Sequence, residues 1–173
     1  MSKKTISFAL DTKSIDKAIS ELNRYKRDFS KKIDLLRNKI AERLAEEAQS
    51  GFDGAIVDDL VQGEARKAEV AVTVDKRGAV TAVIADGQDA VWVEFGAGVY
   101  HNGAAGSSPH PAGAELGFTI GSFGAHGKSP AWGFYDKDGL HITHGTPAKM
   151  PMALAVDAVC SDIAAIAREV FGT

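Results

Sequence analysis

The longest regular pattern in the chain is a run of apolar residues spaced three and four apart near the N-terminus. No Pro or Gly interrupts the run before Gly51, a residue type that often follows the end of a helix. The pattern predicts one helix over about 14–50, with Ser14 as its N-cap. A narrow apolar stripe surrounded by charge is typical of a helix that lies across a sheet or packs between subunits. The stripe consists of Ile15, Ile19, Leu22, Phe29, Ile33, Leu36, Ile40 and Leu44, with one missed turn at Lys26.

Three regions have the residue types, and in part the period of two, that are typical of strands. Residues 5–10 alternate and predict a short strand with Ile6, Phe8 and Leu10 on one face. Residues 69–74 and 79–84 predict a hairpin whose turn lies at 75–78. A second hairpin is predicted from 131–135 and 140–144, so that the sheet spans about 68–145.

The stretch Val91–Gly98 sets two large aromatic residues around one carboxylate. Trp92 and Phe95 lie three apart, which puts them on one face of a helical turn, and their size predicts that they anchor the core. Glu94 is then expected to point away from that face, towards solvent or a partner. Gly96 and Gly98 are expected to end the turn.

The segment 97–131 has no sustained periodicity and is dominated by Gly, Ala, Ser and Pro. A long segment without regular structure is unusual inside a compact domain and indicates either a functional loop or disorder. Four large apolar side chains make this loop too hydrophobic to be a solvated linker. We expect it to become ordered against a neighbouring chain, through Leu116, Phe118, Ile120 and Phe123.

A proline-fixed extended segment, Gly145–Pro151, leads into the last predicted helix at about 151–171. Proline is favourable in the first helical turn because its missing N–H would have no partner there. The predicted buried face consists of Met152, Ala155, Val159, Ile163, Ile166 and Val170. The predicted fold class is therefore α+β: a mainly antiparallel sheet packed by a long N-terminal helix and a C-terminal helix, in a single domain over 1–173.

The net charge of −3 conceals an uneven distribution. Residues 1–40 contain eleven Lys or Arg against five Asp or Glu, whereas the remainder has nine against eighteen. Such a division is compatible with pairing between subunits, with an arm near an anion, or with a solvated helix face. Cys160 is the single cysteine, which excludes a disulfide framework and predicts a small buried hydrophobe. No signal peptide and no membrane-spanning segment is predicted.

The sequence provides no spacing that is typical of an enzyme site. His141 and His144 fall on opposite faces of a predicted strand, and the other histidines lack ligand spacing. Gly127-Lys128-Ser129 resembles the end of a phosphate-binding loop, but Ser122 occupies the position of its first glycine and Pro130 prevents a following helix. We therefore predict no catalytic, cofactor-binding or metal-binding residue, and a protein that is not an enzyme.

Two short motifs and their order along the chain carry a resemblance to a known family. The motifs are Val-Glu-Phe-Gly at 93–96 and Gly-Thr-Pro-Ala-Lys-Met-Pro-Met at 145–152. Together with the long N-terminal helix, the two hairpins and the glycine-rich loop, they resemble the tail-completion, or head–tail joining, family of long-tailed bacteriophages. The resemblance covers about 14–171.

The resemblance implies a structural virion protein of the tail neck, assembled in the host cytoplasm. It implies a homo-oligomeric ring, expected to be sixfold, that connects the tail tube or tail terminator to the head-side connector and has DNA passing nearby without sequence-specific contact. Glu94 and the apolar loop residues are the expected interaction residues. The alternative is a nucleic-acid-binding protein that uses the basic N-terminal helix, although the acids between its basic residues and its few aromatics disfavour a stacking platform.

Overall fold

A computed structural model describes residues 5–58, 65–96, 100–101, 104–105, 109–113, 115–116, 132–137, 139–143 and 146–172. The fold is α+β, as predicted: two long helices enclose short antiparallel strand pairs. The helices are α1 (Thr12–Asp53), α2 (Ala90–Phe95) and α3 (Pro151–Phe171). The strands are β1 (Ile56–Asp58), β2 (Ala65–Lys67), β3 (Ala71–Arg77), β4 (Val80–Asp86), β5 (Tyr100–His101), β6 (Ala104–Ala105), β7 (Trp132–Asp136) and β8 (Gly139–Thr143).

The long predicted helix is present as the 42-residue α1, about 63 Å long at ~1.5 Å per residue. Its N-cap is Asp11 rather than Ser14. The Asp11 carboxylate accepts the Ser14 N–H at 3.0 Å, and the Ser14 hydroxyl in turn accepts the Ala9 N–H at 2.8 Å. These two bonds satisfy one free amide of the first helical turn and fix the chain that leads into it.

Helices α1 and α3 pack antiparallel. Near the start of α3, Pro151 lies against Gly51, where an added Cβ would come within 2.7 Å of the Pro151 Cβ. Near its end, the Phe171 ring lies 5.9 Å from the Phe29 ring, centroid to centroid, and Glu169 pairs with Lys39. Helix α3 therefore covers α1 from about residue 29 to 51. The first 17 residues of α1, 12–28, project roughly 25 Å beyond the end of α3.

The β3–β4 hairpin packs on the C-terminal half of α1 through a side chain that completes the edge of β3. The Gln49 carboxamide accepts the Val72 N–H at 2.7 Å and donates to the Val70 carbonyl at 3.1 Å. Because Val70 and Val72 lie two apart, their polar groups point the same way, and the amide supplies the pairing that a further strand would give. The strands pair from Ala71↔Asp86 to Arg77↔Val80.

The core lies where the end of α1, the strand pairs and α2 converge. Its fully buried members are Phe52, Ala55, Val57 and Val93. The partly buried side chains around them come from the segment between β2 and β3, from both strands of the β3–β4 hairpin and from the start of α3: Ala68, Val70, Val72, Ala85 and Met152. This small core holds together elements that are 100 residues apart in sequence.

Several predicted features are wrong in detail. Residues 5–10 form no strand, and Phe8 and Leu10 are exposed, since a strand needs a partner edge and none is provided within the described residues. Gly51 does not end α1, which continues to Asp53, because this glycine serves the close approach of Pro151. The first hairpin is displaced by about two residues, with its turn at Gly78, where φ is +59°.

The second hairpin and the last helix follow the prediction closely. Strands β7 and β8 pair from Trp132↔Thr143 to Asp136↔Gly139, and α3 spans the predicted 151–171. Of the predicted buried face of α3, Ala155, Val159 and Val170 are buried, whereas Ile163 is exposed. Cys160 is also exposed, contrary to its expected burial. Most of the predicted glycine-rich loop at 97–131 lies outside the described residues.

Phe52 provides a test of the core. Replacing Phe52 by Ala is expected to lower the free energy of unfolding by about 3–5 kcal/mol, because a fully buried ring is lost and a cavity remains. Urea unfolding followed by circular dichroism measures the change. Leu35→Ala, on the exposed side of the same helix, is the control and should change stability by about 1 kcal/mol or less. Equal effects of the two substitutions would contradict this description of the core.

Candidate functional site

The described parts of the two sequence motifs, 93–96 and 146–152, meet in space at the N-terminal end of α3. The Lys149 N–H donates to the Val93 carbonyl at 2.7 Å. Gly96, with φ of +79°, lies so close to Ala148 that an added Cβ would be 2.8 Å from the Ala148 nitrogen. Only a glycine fits this position, for reasons of both space and backbone conformation. The end of α2 and the segment that leads into α3 are thus built as one unit.

Glu94 is the centre of this unit. Its Oε2 accepts the Met152 N–H at 2.8 Å, and its Oε1 accepts the Ala153 N–H at 3.0 Å. These amides belong to the first turn of α3, where backbone N–H groups have no partner within the helix. The carboxylate also lies at the positive end of the helix dipole. Glu94 is 6% exposed, so it acts as a buried capping residue supplied by a distant part of the chain.

His110 completes the surroundings of the carboxylate. Its Nε2 lies 3.0 Å from Glu94 Oε1, and its Nδ1 accepts the Ala112 N–H at 3.0 Å. Because Nδ1 is an acceptor, the ring proton lies on Nε2, which donates it to the carboxylate. The Phe95 ring packs on the imidazole with centroids 4.3 Å apart. One described turn of the glycine-rich region is thereby attached to the start of α3.

The backbone that joins the motif to α3 is strained at Met150. Met150 is the N-cap of α3 and has φ of 55° and ψ of 41°, in the left-handed region. A non-glycine residue there costs on the order of 1–3 kcal/mol, and the position before a proline is restricted further. The bond from Lys149 to Val93 on one side and the bonds to Glu94 on the other hold this conformation.

A second buried carboxylate fixes the beginning of α2. Asp89 forms two bonds with the Arg66 guanidinium, at 2.7 and 2.9 Å, and accepts the Glu69 N–H at 2.8 Å. Burial by itself raises the pKa of the Asp89 carboxyl. The hydrogen bond from Arg66, the Glu69 N–H and the positive charge of Arg66 outweigh that effect and hold the pKa below its ordinary 3.8.

The structure corrects the predicted orientation of α2. Glu94 was expected to face solvent or a partner, and Trp92 and Phe95 were expected to be the core anchors. Instead Val93 and Glu94 are buried, and the two aromatic residues are half-buried. The three-residue spacing correctly indicated a helical turn but not the side that the rest of the chain would cover. Because the Glu94 carboxylate caps α3, the face of α2 that carries Glu94 is the buried one.

The remaining predicted interaction residues do not come together in the described part of the chain. Leu116 is exposed at 56%. Phe118, Ile120 and Phe123 lie outside the described residues. The expectation that their loop becomes ordered on assembly concerns the same residues and stays a prediction. His141 is buried on β8, and His144 lies outside the described residues.

Sequence reasoning missed three of the groups that organise the site: His110, Arg66 and Gln49. No local pattern marks them, because each bonds to a partner at least 16 residues away. Glycine at 96 and proline at 151 were the available signals, since both residue types indicate special backbone geometry. The sequence marks the motif that contains each of these residues, but it does not indicate that the two motifs contact each other.

The arrangement around Glu94 is that of a structural clasp. Both carboxylate oxygens are engaged by backbone amides of α3, and Oε1 is also engaged by His110. Within the described ranges no group of three or more His, Cys, Asp or Glu side chains could hold a metal ion. None of the helices in the described part of the chain has both the length and the hydrophobicity needed to cross a membrane.

Comparison with protein-family profiles, with curated proteins and with solved structures finds no match to this chain.

The capping role of Glu94 predicts a large effect of its removal. Glu94→Ala is expected to lower the free energy of unfolding by about 1–3 kcal/mol, because two buried amides of α3 lose their acceptor. Glu94→Gln retains one acceptor oxygen, so its free energy of unfolding should lie between that of Glu94→Ala and that of the wild type. Urea unfolding provides the measurement. Glu46→Ala, at an exposed position of α1, is the control, and a loss at Glu94 no greater than at Glu46 would refute the capping role.

The Arg66–Asp89 pair predicts a stability difference that depends on pH. A carboxyl with a lowered pKa in the folded state stabilises the fold above its ordinary pKa of 3.8, and this contribution disappears as the pH falls through the folded value. Asp89→Asn should therefore lower the unfolding free energy clearly at about pH 6 and much less at about pH 3. Urea titrations of both proteins at the two pH values test this. A deficit of the same size at both would exclude the ionised pair as its source.

Proposed function

We propose that this protein is a structural subunit of a phage tail neck, a tail-completion or head–tail joining protein that forms a ring between the tail tube and the head-side connector. The observation that carries the proposal is the contact between the two motifs on which the resemblance rests. Residues 93–96 and 148–153 lock together through one backbone bond, one glycine contact and the Glu94 cap. Motifs that define a family for structural reasons are expected to meet in this way.

The distribution of apolar surface supports an assembled state. Large apolar side chains remain 38–55% exposed along the first half of α1, at Ile15, Ile19, Leu22 and Phe29. Exposed apolar surface organised along one helix stripe is a mark of an interaction site rather than of an ordinary monomer surface. A ring uses such a stripe because each copy offers it to a different surface of the next.

The clasp supports a scaffolding role for the site. Both oxygens of Glu94 are committed to backbone amides, and this fixes the angle at which α3 leaves the core. A subunit that must close a ring requires fixed angles between its elements. In this role the protein has no catalytic step, and the DNA that passes through the ring is contacted, if at all, through charge alone.

The proposal is tested by the assembly state. The purified chain, alone or mixed with a phage tail-tube protein, is expected to form closed rings of about six copies, the number that the resemblance implies, because head-to-tail contacts whose rotation closes give rings. Native mass spectrometry gives the copy number, and negative-stain electron microscopy shows the rings and whether they cap the tube ends. A chain that stays monomeric at all concentrations, with and without the tube protein, would overturn the proposal.

A further inference from the structure

The exposed stripe of α1 has the repeat of a helix-packing seam. Its residues Ile15, Ile19, Leu22 and Phe29, together with Lys26, follow intervals of four, three, four and three. This average of 3.5 is the repeat of helices that pack along each other, whereas a straight helix on its own has 3.6 residues per turn. In the C-terminal half of α1 the same seam continues to Leu36 and Ile40, which are half-buried. The open half, which we name the α1 stripe (Ile15, Ile19, Leu22 and Phe29), therefore has the shape of a surface for another helix.

Among the described residues, helix α3 is covered on one side only, although most of its circumference is apolar. Sixteen of its 21 residues are apolar, the exceptions being Asp157, Ser161, Asp162, Arg168 and Glu169. A helix that is hydrophobic all round is normally buried on all sides. Next to its covered face lies a second row of apolar residues with intervals of four and three, which we name the α3 stripe: Val156, Cys160 and Ile163. All three are exposed.

The two stripes are complementary in charge. The first half of α1, residues 12–35, contains seven Lys or Arg against four Asp or Glu, whereas α3 contains one Arg against three acidic residues. Pairing of one α1 with another would bring two basic helices together, and pairing of two α3 helices would bring two acidic ones together. Contact between an α1 stripe and an α3 stripe is the combination that charge favours.

Lys26 and Asp157 sharpen this match. Lys26 interrupts the α1 stripe between Leu22 and Phe29, and Asp157 borders the α3 stripe beside Val156. A single charged residue within an apolar seam disfavours partners that cannot neutralise it and so selects the partner and its register. An acidic border on the partner helix meets that requirement.

We infer that the α1 stripe of one copy binds the α3 stripe of the next copy of this chain. The contact is heterologous, so each copy retains one free stripe of each kind until the assembly closes. This contact cannot form within one chain, because α3 already packs antiparallel on α1 from Phe29 to Gly51 and the α1 stripe lies largely beyond the end of α3. The inference rests on the proposed ring function and names the two surfaces that build the ring.

Mixing two blocked variants tests the inference. Leu22→Glu places an acid on the α1 stripe, and Ile163→Lys places a base on the α3 stripe, so that each should repel its acidic or basic partner. Each variant alone is expected to be monomeric at concentrations where the wild type is assembled. In an equal mixture the intact stripes of the two variants meet, and the two altered stripes carry opposite charges, so the mixture is expected to restore assembly with equal numbers of the two variants. Native mass spectrometry distinguishes the two by mass.

The controls are charged substitutions elsewhere on the same helices. Leu35→Glu and Leu154→Lys alter exposed positions outside the two stripes and should leave the assembly unchanged. Circular dichroism of every variant confirms that it is folded. If Leu22→Glu abolishes assembly and Ile163→Lys does not, the contact is between α1 helices, and the reverse result would indicate contact between α3 helices. Either result overturns the inference.

Failure of the inference is distinguishable from failure of the proposed function. Closed rings that form normally from both blocked variants would overturn this contact and leave the ring intact. A wild-type chain that never assembles, alone or with tube protein, would overturn both. Binding of the wild-type chain to DNA with a strong salt dependence, abolished by Leu22→Glu while the chain remains monomeric throughout, would assign the α1 stripe to nucleic acid instead.

Discussion

The fold depends on one buried carboxylate placed at the start of a helix to which it does not belong. An α-helix leaves four N–H groups without partners at its beginning, and these are normally satisfied by a nearby side chain or by water. In α3 the preceding residues cannot provide this, because Met150 is in a left-handed conformation and has no capping side-chain bond. Glu94 supplies both oxygens from a segment 58 residues earlier, and His110 helps to hold the carboxylate in place. Without this contact the strained conformation at Met150 is held only from its N-terminal side, by the bond from Lys149 to Val93.

The clasp also determines where α3 goes. Proline at 151 begins the helix against Gly51, and the helix then follows α1 back to Phe29. The Gln49 amide attaches the first hairpin to the same half of α1. The C-terminal half of α1 is thus surrounded, while the N-terminal half keeps its apolar stripe in the open. The uneven burial of α1 is therefore a consequence of how the start of α3 is anchored.

Local patterns were sufficient to predict the two long helices and the two longer hairpins, but they predicted neither the short strand pairs β1–β2 and β5–β6 nor the centre of the fold. The apolar spacing of three and four predicts α1, strand-forming segments on either side of a turn predict the two hairpins, and proline at 151 predicts the start of α3, because each of these signals is local in the sequence. The burial of Glu94, the close approach at Gly51 and the Arg66–Asp89 pair each depend on what a distant segment brings to the same place. Gly51 illustrates the ambiguity well: glycine marks either the end of a helix or a contact with another backbone, and only the fold decides.

If the chain works in an assembly, the rigid bonds around Glu94 and the exposed α1 and α3 stripes act together: the bonds set the geometry in which the stripes meet a partner. Hydrophobic contacts are not directional, so they determine that two surfaces meet but not at what angle. Hydrogen bonds to a buried carboxylate are directional and lose their strength when the geometry changes. By fixing α3 relative to the core with such bonds, the chain fixes the angle between its two open stripes before any partner arrives. Closure of a ring rather than growth of a filament is decided by that angle. The clasp at Glu94 would then control the geometry of a contact in which it takes no part.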